Sequence, residues 1–149
     1  MQSFSDPRDT SIDAVTSKAE TTSVLVVDDS KVVCLLVGGA LLRAGLPVET
    51  ADSAAAAFDM IQRRQPAVVV CDIDMPETDG FELLARLRHT HPDLPVVMLT
   101  ANADAGYRAR ANELGASGFF HKTSNHAPML ALIREHLERR AQAQAQAQA

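Results

Sequence analysis

Short apolar runs alternate with stretches of helical periodicity along most of this chain. Val24-Leu25-Val26-Val27 opens the series, and its β-branched residues predict a buried strand over 24–28. Ser30 can cap the helix that follows, and Gly45 stands where a C′ glycine would end it. A short strand around 48–50 is next. A helix over 53–64 then puts Ala54, Ala57, Phe58 and Ile61 on one face, with Pro66 as its stop. The third strand spans 67–71, and a helix over 81–89 aligns Phe81, Leu84 and Leu87. A strand over 95–99 leads to a small-residue-rich helix that reaches Leu114 before Gly115. The last strand is 118–121, and the last helix, about 126–140, turns Leu130, Ile133 and Leu137 inward. This alternation predicts an α/β fold: a five-stranded parallel sheet, helices on both faces and right-handed crossovers.

The flanks break the pattern. Residues 1–22 are rich in Ser, Thr and Asp with isolated apolar residues, which predicts a disordered leader. Residues 141–149 alternate Ala and Gln, a low-complexity tail whose residues are good helix formers and can prolong the last helix. The folded unit is expected over 23–140.

Chemistry gathers where the apolar runs stop. The first run ends in Asp28-Asp29, the third in Asp72, the fourth in Thr100, and Phe119-Phe120 leads into Lys122. After Asp72 comes Ile73-Asp74-Met75-Pro76, then Asp79-Gly80, a loop punctuated by Pro and Gly. Open α/β sheets bind ligands beyond the carboxyl ends of their strands. Three carboxylates, a hydroxyl and an ammonium at four such ends suit a hard cation and a phosphoryl group. Each residue also has a plain structural reading. Asp29-Ser30 can be a helix cap, Thr100 the cap of the fourth helix, and Lys122 a solvated lysine. Met75-Pro76 and Asp79-Gly80 are turn chemistry. Their joint placement at strand ends favours the site.

Composition narrows the field further. A chain of 149 residues can bury one good core. With no Trp and one Tyr, that core is expected to be aliphatic. A net charge of −5 argues against a nucleic-acid partner held by phosphate contacts, and Arg134, Arg139 and Arg140 suit a helix end. Cys34 and Cys71 fall inside predicted elements and read as reduced packing residues. His89, His91, His121 and His126 share no metal-ligand spacing. The amino terminus lacks a signal-peptide pattern and no apolar run approaches membrane-spanning length, so no membrane partner and a cytoplasmic location are expected.

Four motifs in order carry a family resemblance: Val-Val-Asp-Asp at 26–29, Asp-x-x-Met-Pro-x-x-Asp-Gly at 72–80, Leu-Thr-Ala at 99–101, and Gly-Ala-Ser-Gly-Phe-x-x-Lys at 115–122. Together they resemble the receiver domain of bacterial two-component response regulators, of the stand-alone, chemotaxis-regulator-like type. The resemblance implies a flavodoxin-like sheet order of 2-1-3-4-5. It implies Asp72 as phosphoacceptor, and Mg2+ held by Asp28, Asp29, Asp72 and the backbone carbonyl of Asp74. Thr100 and Lys122 would contact phosphoryl oxygens, with Thr100 and Phe119 forming the switch. The donor would be a histidine kinase or histidine phosphotransfer protein in a phosphorelay, and the output would pass to a downstream protein effector. Such a protein assists its own phosphorylation and dephosphorylation and is otherwise not an enzyme.

Departures from the family pattern are few. Thr123 follows Lys122 where the family has Pro, so a trans bond and a rearranged loop are expected, with a weaker approach of Lys122. Phe119 lacks the hydroxyl of the family's usual Tyr. Gly118 stands where receivers joined to winged-helix domains often carry Asp. The first helix is apolar around much of its circumference; burial against the sheet is the expected reason, with a partner-facing surface as the alternative. Two other functions compete. One is a degenerate receiver acting as a scaffold. The other is a haloacid-dehalogenase-like phosphotransferase, suggested by Asp72-Ile73-Asp74 but opposed by Pro76 and by an acidic pair that comes too early.

Overall fold

A computed structural model describes residues 23–101, 104–122 and 125–148. The leader expected over 1–22 and the Lys122–Thr123 peptide lie outside the described residues. Five strand–helix units follow one another: β1 (Val24–Val27), α1 (Lys31–Arg43), β2 (Val48–Ala51), α2 (Ala54–Arg63), β3 (Val68–Asp72), α3 (Gly80–Thr90), β4 (Val96–Thr100), α4 (Ala105–Glu113), β5 (Gly118–His121) and α5 (Ala127–Gln148). The strands form one parallel sheet in the order β2-β1-β3-β4-β5. This is the expected 2-1-3-4-5 flavodoxin-like arrangement.

Alternation along the strands divides the core. Leu25, Val27, Val69, Cys71, Val96 and Met98 face α2, α3 and α4. Val24, Val26, Val68, Val70, Val97 and Leu99 face α1 and α5. The three central strands are buried on both sides, which is why they read as continuous apolar runs. β3 and β4 each run one residue further than their apolar stretches predict, because the ladder continues through Asp72, opposite Leu99, and Thr100, opposite His121. Two functional side chains are thus fixed by sheet geometry.

Helix ends follow their local signals. Ser30, Ser53 and Asp79 cap α1, α2 and α3 by accepting N–H bonds from Val33, Ala56 and Glu82. Gly45 takes φ 86° just past α1, a conformation that side chains resist. In α2, Phe58 is half-buried, while Ala54, Ala57 and Ile61 are buried as expected. In α5, Met129 and Ile133 form the buried stripe; Leu130 and Leu137 lie half-buried on its edge, and the helix continues through the Ala-Gln run to Gln148.

One expectation holds only in part. α1 turns Val37, Gly38, Ala40 and Leu41 to the sheet, yet Val32, Leu35 and Leu36 remain 64%, 75% and 61% exposed. Burial against the sheet accounts for Val37, Ala40 and Leu41 but not for the exposed Val32, Leu35 and Leu36. Gly38 and Ala40 let it sit close to β2, with Gly38 near Val48, while Val32, Leu35 and Leu36 point outward.

Candidate functional site

The carboxyl ends of β1, β3, β4 and β5 meet at one edge of the sheet. β1 delivers Asp28, which is 1% exposed, and β3 ends in Asp72, which is fully buried. Asp29, directly after Asp28, is exposed. Ligand oxygens of Asp28, Asp29 and Asp72 all lie within 4.8 Å of one another. Lys122, just beyond β5, places Nζ 3.1 Å from Oδ2 of both Asp28 and Asp72. The solvated-lysine reading therefore fails. Its backbone N–H bonds to the Thr100 carbonyl at 2.9 Å, which anchors the chain where it leaves the sheet.

Each of the two buried aspartates has one oxygen occupied and one turned inward. Asp28 Oδ1 accepts the Ser30 N–H at 2.8 Å, and Asp72 Oδ1 accepts the Asp74 N–H at 3.1 Å. Apart from the shared ammonium, Oδ2 of Asp28 and Oδ2 of Asp72 are buried without a hydrogen-bond partner. Three carboxylates gather here, and the Lys122 ammonium reaches the two buried ones, Asp28 and Asp72. Burial raises the Asp72 carboxyl to about 6; its bond to Lys122 opposes the rise, and the Asp28 charge adds to it. Burial works against the Lys122 ammonium, but its bonds to Asp72 and Asp28 outweigh that and raise its pKa. Orphaned hard oxygens at this spacing fit a small divalent cation, which is how such a cluster is ordinarily neutralised.

Thr100 is fully buried at the end of β4, while Asp104 caps α4, so the capping role does not belong to Thr100. Phe119 is buried at 6% exposure under the Arg108 guanidinium, 4.7 Å from the ring centre. Asp74 is exposed in the loop after β3. Asp79 and Gly80 have no place among the charged groups, but they fix that loop. The Gly80 N–H bonds to the Ile73 carbonyl at 2.8 Å, and a Cβ at Gly80 would lie 2.2 Å from the Asp72 carbonyl oxygen. Among the described residues the one cluster with metal-ligand geometry is this one, and no histidine belongs to it. No helix among them is long and apolar enough to cross a membrane.

Sequence reasoning passed over Tyr107, the chain's single Tyr. From α4 its hydroxyl donates to Asp74 Oδ1 at 3.2 Å, and its ring meets Phe81 edge-on with centres 5.6 Å apart. Thirty-three residues separate the two partners, and no periodicity or motif signals such a contact.

Similarity to known proteins points to one family. The family model described as "Response regulator receiver domain" matches residues 24–134. A curated relative, response regulator MprA of Mycobacterium sp. (strain KMS), is 35% identical over 116 residues, covering 78% of this chain and 50% of its own. The chain thus spans about half the length of the curated relatives it matches. Among solved structures, the receiver domain of NtrX from Brucella abortus is 32% identical with a TM-score of 0.72, covering 78% of this chain and 98% of that one. A CheY-like receiver domain protein from Methanospirillum hungatei JF-1 shares the fold at 24% identity and a TM-score of 0.75, covering 82% and 98%.

Proposed function

The chain belongs to the response regulator receiver family, and we propose that it accepts a phosphoryl group on Asp72 from a phosphohistidine donor. The observation that carries this reading is the convergence of three carboxylates within 4.8 Å, with the Lys122 ammonium 3.1 Å from the buried Asp72. Asp28, Asp29, Asp72 and the backbone carbonyl of Asp74 would hold Mg2+. When bound, Mg2+ supplies positive charge that lets a carboxylate meet an anionic phosphoryl donor. Lys122 then pairs with a phosphoryl oxygen, and the Thr100 hydroxyl donates to another. The protein assists its own phosphorylation and dephosphorylation by positioning and electrostatics.

Donor and output are protein surfaces in this reading. A histidine kinase or histidine phosphotransfer protein must bring an imidazole to the crevice. Exposed Leu35 shares an open cavity of about 540 Å³ with Asp28 and Lys31, so the apolar face of α1 adjoins the site. That placement supports α1 as the donor's seat. Signalling would pass to a downstream protein, or the phosphoryl group would be relayed, through movement of Thr100 and Phe119.

The test is incubation with Mg2+ and acetyl phosphate, followed by intact-mass measurement. Wild-type protein should gain one phosphoryl group; Asp72→Asn, or wild type in excess chelator, should gain none. An adduct of unchanged yield on Asp72→Asn would overturn the assignment.

A further inference from the structure

We infer that Tyr107 is a positioning residue for Asp72, acting through Asp74; the inference rests on the phosphoacceptor reading above. The Tyr107 side chain has two separable contacts. Its ring is half-buried and lies edge-on to Phe81, at an interplanar angle of 86°, which packing alone explains. Its hydroxyl donates to Asp74 Oδ1 at 3.2 Å, which packing does not require. Asp74 in turn donates its backbone N–H to Asp72 Oδ1 at 3.1 Å. A chain of two hydrogen bonds therefore runs from α4 to the phosphoacceptor.

The consequence is orientation. Asp74 is exposed and sits in an irregular loop, so its side chain is fixed only by what it touches. Held by Tyr107, it presents its N–H in one direction, and that N–H fixes one oxygen of the Asp72 carboxylate. The other oxygen is left facing Lys122 at 3.1 Å. In transfer from an acyl phosphate, a carboxylate oxygen of Asp72 bonds to phosphorus as the bond from phosphorus to the acyl oxygen breaks. The acyl group leaves as a carboxylate, so atoms and charge balance with no proton added. Such a step depends steeply on the angle of attack, so a carboxylate free to rotate reacts more slowly.

Tyr107→Phe isolates the effect, because it keeps the ring on Phe81 and removes only the hydroxyl. At saturating Mg2+, the rate of Asp72 labelling by acetyl phosphate should fall about threefold or more, as expected for losing one hydrogen bond that orients a reacting group. The same substitution made on Asp74→Ala protein should add nothing, since the link is already cut. In metal-free protein, Tyr107→Phe should speed hydrogen exchange at the Asp74 amide and leave the Ser30 amide, held by Asp28, unaltered. Labelling of Tyr107→Phe at the wild-type rate would overturn the inference, as would an equal slowing on both backgrounds or unaltered Asp74 exchange. Wild-type protein that takes no label would instead overturn the phosphoacceptor reading, and this inference with it.

Discussion

Asp72 carries its charge inside the protein, and the rise of its carboxyl from 3.8 to about 6 records how far Lys122 falls short of compensating that burial. The sign of the resulting pH dependence follows. Between about pH 4 and pH 6 the folded protein binds more protons at this site than the unfolded chain does, so metal-free stability falls as pH rises through that window. The whole effect amounts to at most about 3 kcal/mol, at roughly 1.4 kcal/mol per pH unit. Asp72→Asn removes it. Denaturant melts in chelator should find the variant more stable than wild type at pH 7, with the gap closing toward pH 4. Parallel curves across the window would remove Asp72 as the source. Mg2+ should reverse the order, because it stabilises wild type by binding the folded state, and Asn is a poorer ligand. Asp29→Ala acts more gently, since Asp29 is exposed; it should chiefly raise the Mg2+ concentration needed for half-maximal labelling. Asp28, Asp72, Thr100 and Lys122 were all legible in the sequence because each stands where an apolar run stops. The hydroxyl of Tyr107 was not, because its partner is remote in the chain and nothing in local periodicity depends on it.

Elements set the precision of these contacts. α3 starts so close to the end of β3 that a Cβ at Gly80 would meet the Asp72 carbonyl at 2.2 Å and the Ile73 Cα at 2.8 Å. Both are backbone atoms, which cannot swing aside as a side chain can. Gly80→Ala should therefore cost about 1–3 kcal/mol of stability and push the Asp72–Asp74 segment outward, slowing labelling as well. Thermal melts and labelling rates check the two effects; a variant as stable and as fast as wild type would mean the loop gives way freely. In the sequence, Asp79-Gly80 read as turn chemistry, which is correct but incomplete, since close approach is a property of the folded backbone. α1 departs in part from its sequence for a related reason. Its apolar residues run around most of its circumference, whereas the sheet takes only Val37, Gly38, Ala40 and Leu41 among its buried residues. Leu36→Glu on the exposed face should change stability by no more than about 0.5 kcal/mol. It should leave labelling by acetyl phosphate intact and reduce transfer from a phosphohistidine protein, an outcome read by comparing the two donors.

Across the whole molecule the sheet is gripped unevenly. α1 and α5 close one face, and α2 and α3 cover most of the other, but α4 buries only Ala111. Its other contacts with the body include Tyr107 on Asp74 and Phe81, Arg108 over Phe119, and Arg110 over Phe81 at 4.6 Å. Such contacts are individually weak, so α4 should open more readily than the rest of the fold. They also connect it to both the Asp72–Asp74 loop and β5. A ligand that reorders the crevice must then shift the population of α4 positions, provided it binds one of them better. Amide exchange should find α4 the least protected helix of the domain in metal-free protein. Adding Mg2+ with beryllofluoride, a phosphoryl mimic, should raise its protection. Chemical-shift changes should spread from Asp72 into α4 and β5, reaching Phe119. Shifts confined to Asp28, Asp29, Asp72 and Asp74, with α4 exchanging as before, would instead describe a phosphate store whose occupancy is invisible from outside the crevice.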